Sequence, residues 1–114
     1  MTRSDALFAR LLDLNREAFA ALDYGTAYQL LVAALHRALF CESAVALAVV
    51  AERAGEQWDD LARPGPGHGL TRLGLRHRRE EYAGLAQLAV ACTQLIRRTQ
   101  RPPTPPPRVT LECP

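Results

Sequence analysis

Apolar side chains recur every three or four positions through the first forty residues, which is the spacing of amphipathic helices. The first stretch predicts a helix over residues 4–22, with Asp5 at the positive end of its dipole. Its apolar stripe consists of Phe8, Leu11, Leu12, Ala18, Phe19 and Leu22.

A second helix is predicted directly after the triplet Asp23-Tyr24-Gly25. We expect this triplet to be a tight turn in which Gly25 supplies any positive φ, with Thr26 as the N-cap of the helix. The stripe of this second helix consists of Ala27, Leu30, Leu31, Ala34, Leu35, Ala38 and Leu39. So short a connection predicts that the two helices pack as an antiparallel hairpin.

The segment over residues 44–51 is apolar at every position, so its periodicity alone fits either a buried strand or a helix. Its alanine content favours a helix capped by Ser43, although Gly55 weakens it. The stripe would continue through Leu47, Val50, Ala51, Ala54, Trp58 and Leu61.

Residues 63–69, RPGPGHG, interrupt the helical pattern because proline cannot continue a helix. A long fourth helix is predicted over residues 71–98, with one stripe of Tyr82, Leu85, Ala86, Ala89, Cys92 and Ile96 and a second of Leu88, Ala91 and Leu95. We therefore predict an all-α chain: antiparallel helical hairpins form a four-helix bundle over residues 1–100, and residues 101–114 form a flexible Pro-rich tail.

Over residues 11–35 the first hairpin combines large apolar residues on its first helix, an aromatic residue at the turn, and small and apolar residues on its second helix. These are Leu11, Leu14, Tyr24, Ala27, Leu31 and Ala34. With this pattern the hairpin resembles a tetratricopeptide repeat. Asn15 stands where that family has a small residue, usually glycine. The resemblance implies a scaffold for protein interaction with no catalysis attached.

Charge is distributed unevenly around a net value of +2. Residues 1–62 have a net charge of −4 and residues 63–114 one of +6, so the two halves attract each other within one chain or between copies. All 14 basic residues are arginine, which is typical of a GC-rich bacterial genome. The isolated cysteines, and the lack of a secretory signal or a long apolar run, predict a reduced cytoplasmic protein.

An arginine cluster, consisting of Arg72, Arg76, Arg78 and Arg79, lies with His77 at the start of the fourth helix. Positive charge at a helix N-terminus opposes the helix dipole. Two explanations of the cluster are open. It binds an acidic partner or a phosphate backbone, or it pairs with Glu80, Glu81 or the acidic first half of the chain.

The helix predicted to begin at residue 44 needs burial on more than one side, because residues 44–51 are apolar all round and Trp58 follows them. Either this helix lies at the centre of the bundle, or a second subunit covers it in a homodimer. Both alternatives fit the sequence.

Signs of catalysis and of cofactor or metal binding are weak. His36 and Cys41 lie five positions apart and do not share a helix face, as two metal ligands on one helix would. No Ser, Cys or Thr nucleophile has a credible general base, and the sequence has no glycine-rich phosphate loop. The sequence thus predicts a non-enzymatic, self-associating protein-interaction module without cofactor or metal. The alternative is a nucleic-acid-binding regulator that uses the arginine cluster, and the run PTPPPR over residues 103–108 is a further candidate for polyproline recognition.

Overall fold

A computed structural model describes the backbone of residues 3–63 and 70–100 and the side chains of residues 6–63 and 70–100. In these ranges the chain is all-α, with four helices and no strand: α1 (Arg3–Ala20), α2 (Tyr24–Phe40), α3 (Ala44–Ala62) and α4 (Arg72–Gln100). The prediction of an all-α fold is therefore confirmed. The expected Pro-Gly loop, with His68, and the Pro-rich tail lie outside the described residues.

The turn between α1 and α2 differs from the sequence prediction. Leu22, and not Gly25, has the positive φ of 64°, and the N–H of Asp23 donates to the carbonyl of Ala18. Glu42 repeats this geometry after α2, with a φ of 50°. Both helices thus end in the left-handed turn that usually contains glycine, here built with residues that carry side chains.

Side chains at the starts of three helices accept hydrogen bonds from exposed backbone N–H groups. Asp23 Oδ1 accepts from the N–H of Thr26, so Asp23 caps α2 and the prediction that Thr26 is the cap was wrong. Ser43 Oγ accepts from the N–H of Ala46, which confirms the predicted cap of α3. Thr71 Oγ1 accepts from the N–H of Gly74 in the same way at α4.

The helices pack as two antiparallel hairpins, α1 with α2 and α3 with α4, and α2 also contacts both helices of the second hairpin. The segment over residues 44–51 is helical, so the strand alternative is excluded. Apolar side chains from all four helices form the core, and removing them from water stabilises the packing. Its members include Leu12, Leu31, Leu35, Leu47, Val50, Ala54, Leu61, Tyr82, Leu85, Ala89 and Ile96.

A buried polar network joins α1 to α2 and α3. The Asn15 side chain, fully buried, donates to the carbonyl of Ala27 at 2.7 Å. Asn15 and Gln57 also form a reciprocal amide pair, with N···O distances of 2.7 and 3.1 Å. Arg53 donates to Asn15 Oδ1 and to the carbonyl of Leu12, and its burial lowers its pKa. Because these polar groups satisfy one another, the network orients α1 against α3.

An aromatic cluster fixes the start of α2 against α4. The rings of Phe19 and Tyr28 both contact Tyr82 edge to face. The Tyr82 hydroxyl donates to the carbonyl of Tyr24 at 3.1 Å. Burial raises the pKa of Tyr82 above that of an ordinary tyrosine, because the phenolate would lose hydration there.

Candidate interaction surface

Three basic side chains at the start of α4 lie close to carboxylates of the same helix. Arg76 lies 3.4 Å from Glu80, and both side chains are largely exposed. His77 and Arg78 approach Glu81 at 3.8 and 2.6 Å. For these three residues the structure shows the intrahelical pairing that was one of the two alternatives from the sequence. An exposed pair such as Arg76 with Glu80 contributes little to stability and rearranges easily.

Arg78 also packs against the start of α2, with its side chain 30% exposed. A Cβ atom added to Gly25 would lie only 3.0 Å from the Arg78 Nη2, so this guanidinium fills the space at the start of α2. Arg78 therefore lies apart from the remaining arginines of the cluster. Gly25 has no positive φ, and a side chain at this position would require the Arg78 guanidinium to shift by a few tenths of an ångström.

Arg79 stacks on Trp58 of α3, with the guanidinium carbon 4.3 Å from the ring centroid. Its Nε is buried without a hydrogen-bond partner, and neither Arg79 nor Arg72 forms an ion pair within residues 6–63 and 70–100. Stacking on the face of an indole is favourable for a cation and leaves its other donors available.

A surface groove of about 480 Å³ lies at this pair, between α3 and α4. Its lining combines apolar side chains with three arginines and one carboxylate: Trp58, Leu75, Ala83, Arg72, Arg76, Arg79 and Glu80. The structure thus brings together four of the five predicted partner-binding residues and places Arg78 elsewhere. An apolar floor with positively charged walls is suited to a protein segment that carries both apolar and acidic side chains.

Beyond the groove, the same side of the hairpin continues as a stripe of small and apolar residues. On α3, Ala51 and Gly55 share a face with Trp58, and a Cβ atom added to Gly55 would meet nothing within 4 Å. On α4 the stripe continues from Ala83 to Ala86 and Val90, where the helix has a shallow hollow of about 330 Å³. We call this combined surface the outer face. It consists of Ala51, Gly55 and Trp58 on α3 with Arg72, Arg76, Arg79, Ala83, Ala86 and Val90 on α4.

A second surface lies on the side of α4 that is closer to α2. The second stripe predicted for α4 remains at the surface, where Leu88 is 50% and Leu95 60% exposed. Leu88 lines a groove of about 290 Å³ together with Val32 and His36 of α2. Exposed Gly84 lies on this side, and a Cβ atom added there would also meet nothing within 4 Å.

Sequence reasoning missed the polar residues that orient the helices. Gln57 is 4% exposed, whereas its neighbour Trp58, which the sequence placed on the core stripe, is only partly buried at the edge of the core. The signal was present, because Gln57 is in phase with Leu47, Val50, Ala54 and Leu61 at alternating spacings of three and four.

No group of three or more His, Cys, Asp or Glu side chains suited to a metal ion occurs among the described residues. Cys41 is exposed and Cys92 partly buried, and both are free thiols. Within the ranges that the structure describes, none of the helices combines the length and apolarity needed to cross a bilayer.

Comparison with known proteins gives no relative from which a function is transferred. No protein-family model matches the chain, and neither the curated proteins nor the solved structures contain a match to it.

Proposed function

We propose that this protein is a non-enzymatic interaction module of the cytoplasm that self-associates through an exposed helical surface. The observation that carries the proposal is the stacked pair of Trp58 and Arg79 in the groove between α3 and α4. Tryptophan and arginine dominate binding energy at protein interfaces because they combine large contact area with directional polar groups.

Exposed apolar area supports the same proposal. Val90 is 46% exposed on the outer face, and several large apolar side chains elsewhere in the described part of the chain are half exposed or more. These are Leu22, Phe40, Val45, Leu73, Leu88 and Leu95. Exposed apolar surface marks a binding site when it is contiguous. On the outer face, apolar side chains adjoin Arg72 and Arg79, which form no ion pair among the described residues.

Charge supports binding between copies. Arg72 and Arg79 form no ion pair within residues 6–63 and 70–100, so no carboxylate described there, including those of the acidic first half of the chain, neutralises them. A second copy brings its own acidic half, which makes self-association favourable at low ionic strength.

Nucleic-acid binding is the alternative, supported by the finding that Arg72 and Arg79 have no carboxylate partner in the part of the chain that the structure describes. Glu80 and Glu81 lie among the same arginines and reduce their attraction for phosphate. Binding to a random DNA duplex at low salt, falling steeply as salt is added, would support this alternative.

Multi-angle light scattering of the purified full-length chain over a wide concentration range tests the proposed self-association. We expect the mass to rise from that of one chain, 12.6 kDa, to twice that value as concentration increases. A mass of one chain at every concentration would contradict self-association.

A further inference from the structure

We infer that two copies associate through their outer faces, around a two-fold axis parallel to the helices, so that α3 of one copy packs antiparallel to α4 of the other. This inference rests on the proposed self-association and specifies its surface, its symmetry and the residues that meet. It would stack two α3–α4 hairpins face to face as two layers of a four-helix arrangement, with the groove at Trp58 closed between them.

Gly55 is the first observation in favour. Glycine in the interior of a helix makes the folded protein less stable than alanine does, because glycine loses more conformational entropy on folding. Packing within one copy does not require it, since a Cβ atom at this position would meet nothing within 4 Å. Close approach of a second helix does require a small residue, and Ala51 and Ala83 extend the small surface on both sides of Gly55.

Charge complementarity is the second observation, and it selects the symmetry. On the outer face, the α4 side carries Arg72, Arg76 and Arg79, while the α3 side is flanked by exposed Asp59, which has no ion pair among the described residues. Because Trp58 contacts Arg79, Asp59 lies at nearly the same height along the hairpin as these arginines. A two-fold axis parallel to the helices exchanges α3 with α4, so Asp59 of each copy faces Arg76 and Arg79 of the other.

A two-fold axis in another direction does not bring Asp59 of one copy to the arginines of the other. An axis perpendicular to the helices would place the arginine end of α4 near the opposite end of the second copy. The last turn of α4 there contains Arg97 and Arg98 and has no acidic residue. Like charges would then meet, which is unfavourable across an interface.

The decisive experiment compares two glycine variants of the full-length chain, Gly55→Leu and Gly84→Leu, by sedimentation equilibrium. Both glycines lie inside helices with open space around them, so leucine is accommodated in each single copy. We expect Gly55→Leu to raise the dimer dissociation constant by roughly tenfold or more because its side chain separates the two helices. Gly84→Leu lies on the α2 side of α4 and should leave the constant unchanged.

Circular dichroism of each variant establishes that its helices are intact, so a loss of association is not a loss of folding. Three results would overturn the inference while leaving self-association standing: an unchanged constant in Gly55→Leu, weakening by Gly84→Leu alone, or equal weakening by both. A wild-type chain that is monomeric throughout would overturn the proposed function as well.

Charge reversal tests the symmetry separately. Asp59→Arg and Arg76→Glu each place like charges across the interface and should each weaken the dimer. The double variant restores opposite charges at the same contact and should recover most of the association. Additive weakening in the double variant would overturn the proposed axis.

Discussion

Replacing Asn15 by leucine removes the polar centre of the contact between α1 and α3, and the structure allows its cost to be worked out. The variant leaves the Gln57 amide and carbonyl, at 4% exposure, without their partners. An unpaired buried polar group costs roughly 1–3 kcal/mol, so two such groups imply a loss of about 3 kcal/mol in the free energy of unfolding. For a domain of this size the melting temperature should fall by about 12–24 °C.

The matching variant Gln57→Met should also be destabilising, because Asn15 loses both hydrogen bonds to the Gln57 amide. Its loss should be the smaller of the two, because Asn15 keeps its hydrogen bonds to the carbonyl of Ala27 and to Arg53. The double variant Asn15→Leu/Gln57→Met removes both partners and fills the site with apolar groups. It should therefore be more stable than the sum of the single losses by about 1.5 kcal/mol or more. Arg53 keeps its hydrogen bond to the carbonyl of Leu12 in every variant.

Guanidinium denaturation followed by circular dichroism measures these free energies. All variants are compared at one protein concentration, since self-association would make apparent stability depend on concentration. Gln29→Met is the control, because Gln29 is exposed on α2 and its replacement should change stability by less than about 0.5 kcal/mol. Additive losses in the double variant would refute the reasoning that the two amides act as a pair.

Three further predictions concern the helix cap, the core and alkaline pH. Asp23→Ala should lose about 1 kcal/mol of stability by denaturant titration, because the Asp23 carboxylate caps α2. Thr26→Ala should lose almost nothing, and equal losses in the two variants would contradict this assignment. Leu47→Ala, at a fully buried site, should cost about 2–5 kcal/mol, while Val45→Ala, at a site 74% exposed, should unfold at nearly the wild-type midpoint. The raised pKa of Tyr82 means that the unfolded chain releases this proton at lower pH than the folded one, so stability should fall as pH rises above about 10. Tyr82→Phe should lose less stability over that range than the wild type, and ultraviolet titration of the phenol should show no ionisation of Tyr82 before unfolding.

The helices of this protein follow from local sequence. Apolar residues at spacings of three and four predicted all four helices within a few residues. Alanine content favoured a helix over a strand at residues 44–51, and the structure confirms the helix. Ser43 was identified as a cap because its interaction spans only three residues. The short link between α1 and α2 also predicted their antiparallel packing, because it leaves no other way to bury both stripes.

The arrangement around each interface was decided by the tertiary structure. The first turn lies a few residues from its predicted position, with its positive φ at Leu22 and the helix cap at Asp23. The packing of Tyr24 against Phe19 fixes where α2 begins. The stacking of Arg79 on Trp58 depends on how α3 and α4 align, and spacing along the chain carries no information about that alignment.

The sequence alone therefore determined which segments become helices, because helix formation depends on contacts three or four residues apart. The tertiary structure alone decided that the buried amides of Asn15 and Gln57 meet across two helices, although the phase of Gln57 along α3 already indicated its burial. It also decided which arginines of the cluster have no carboxylate partner among the described side chains. Both outcomes depend on the distance between helices, and that distance is set by the packing of all their side chains together.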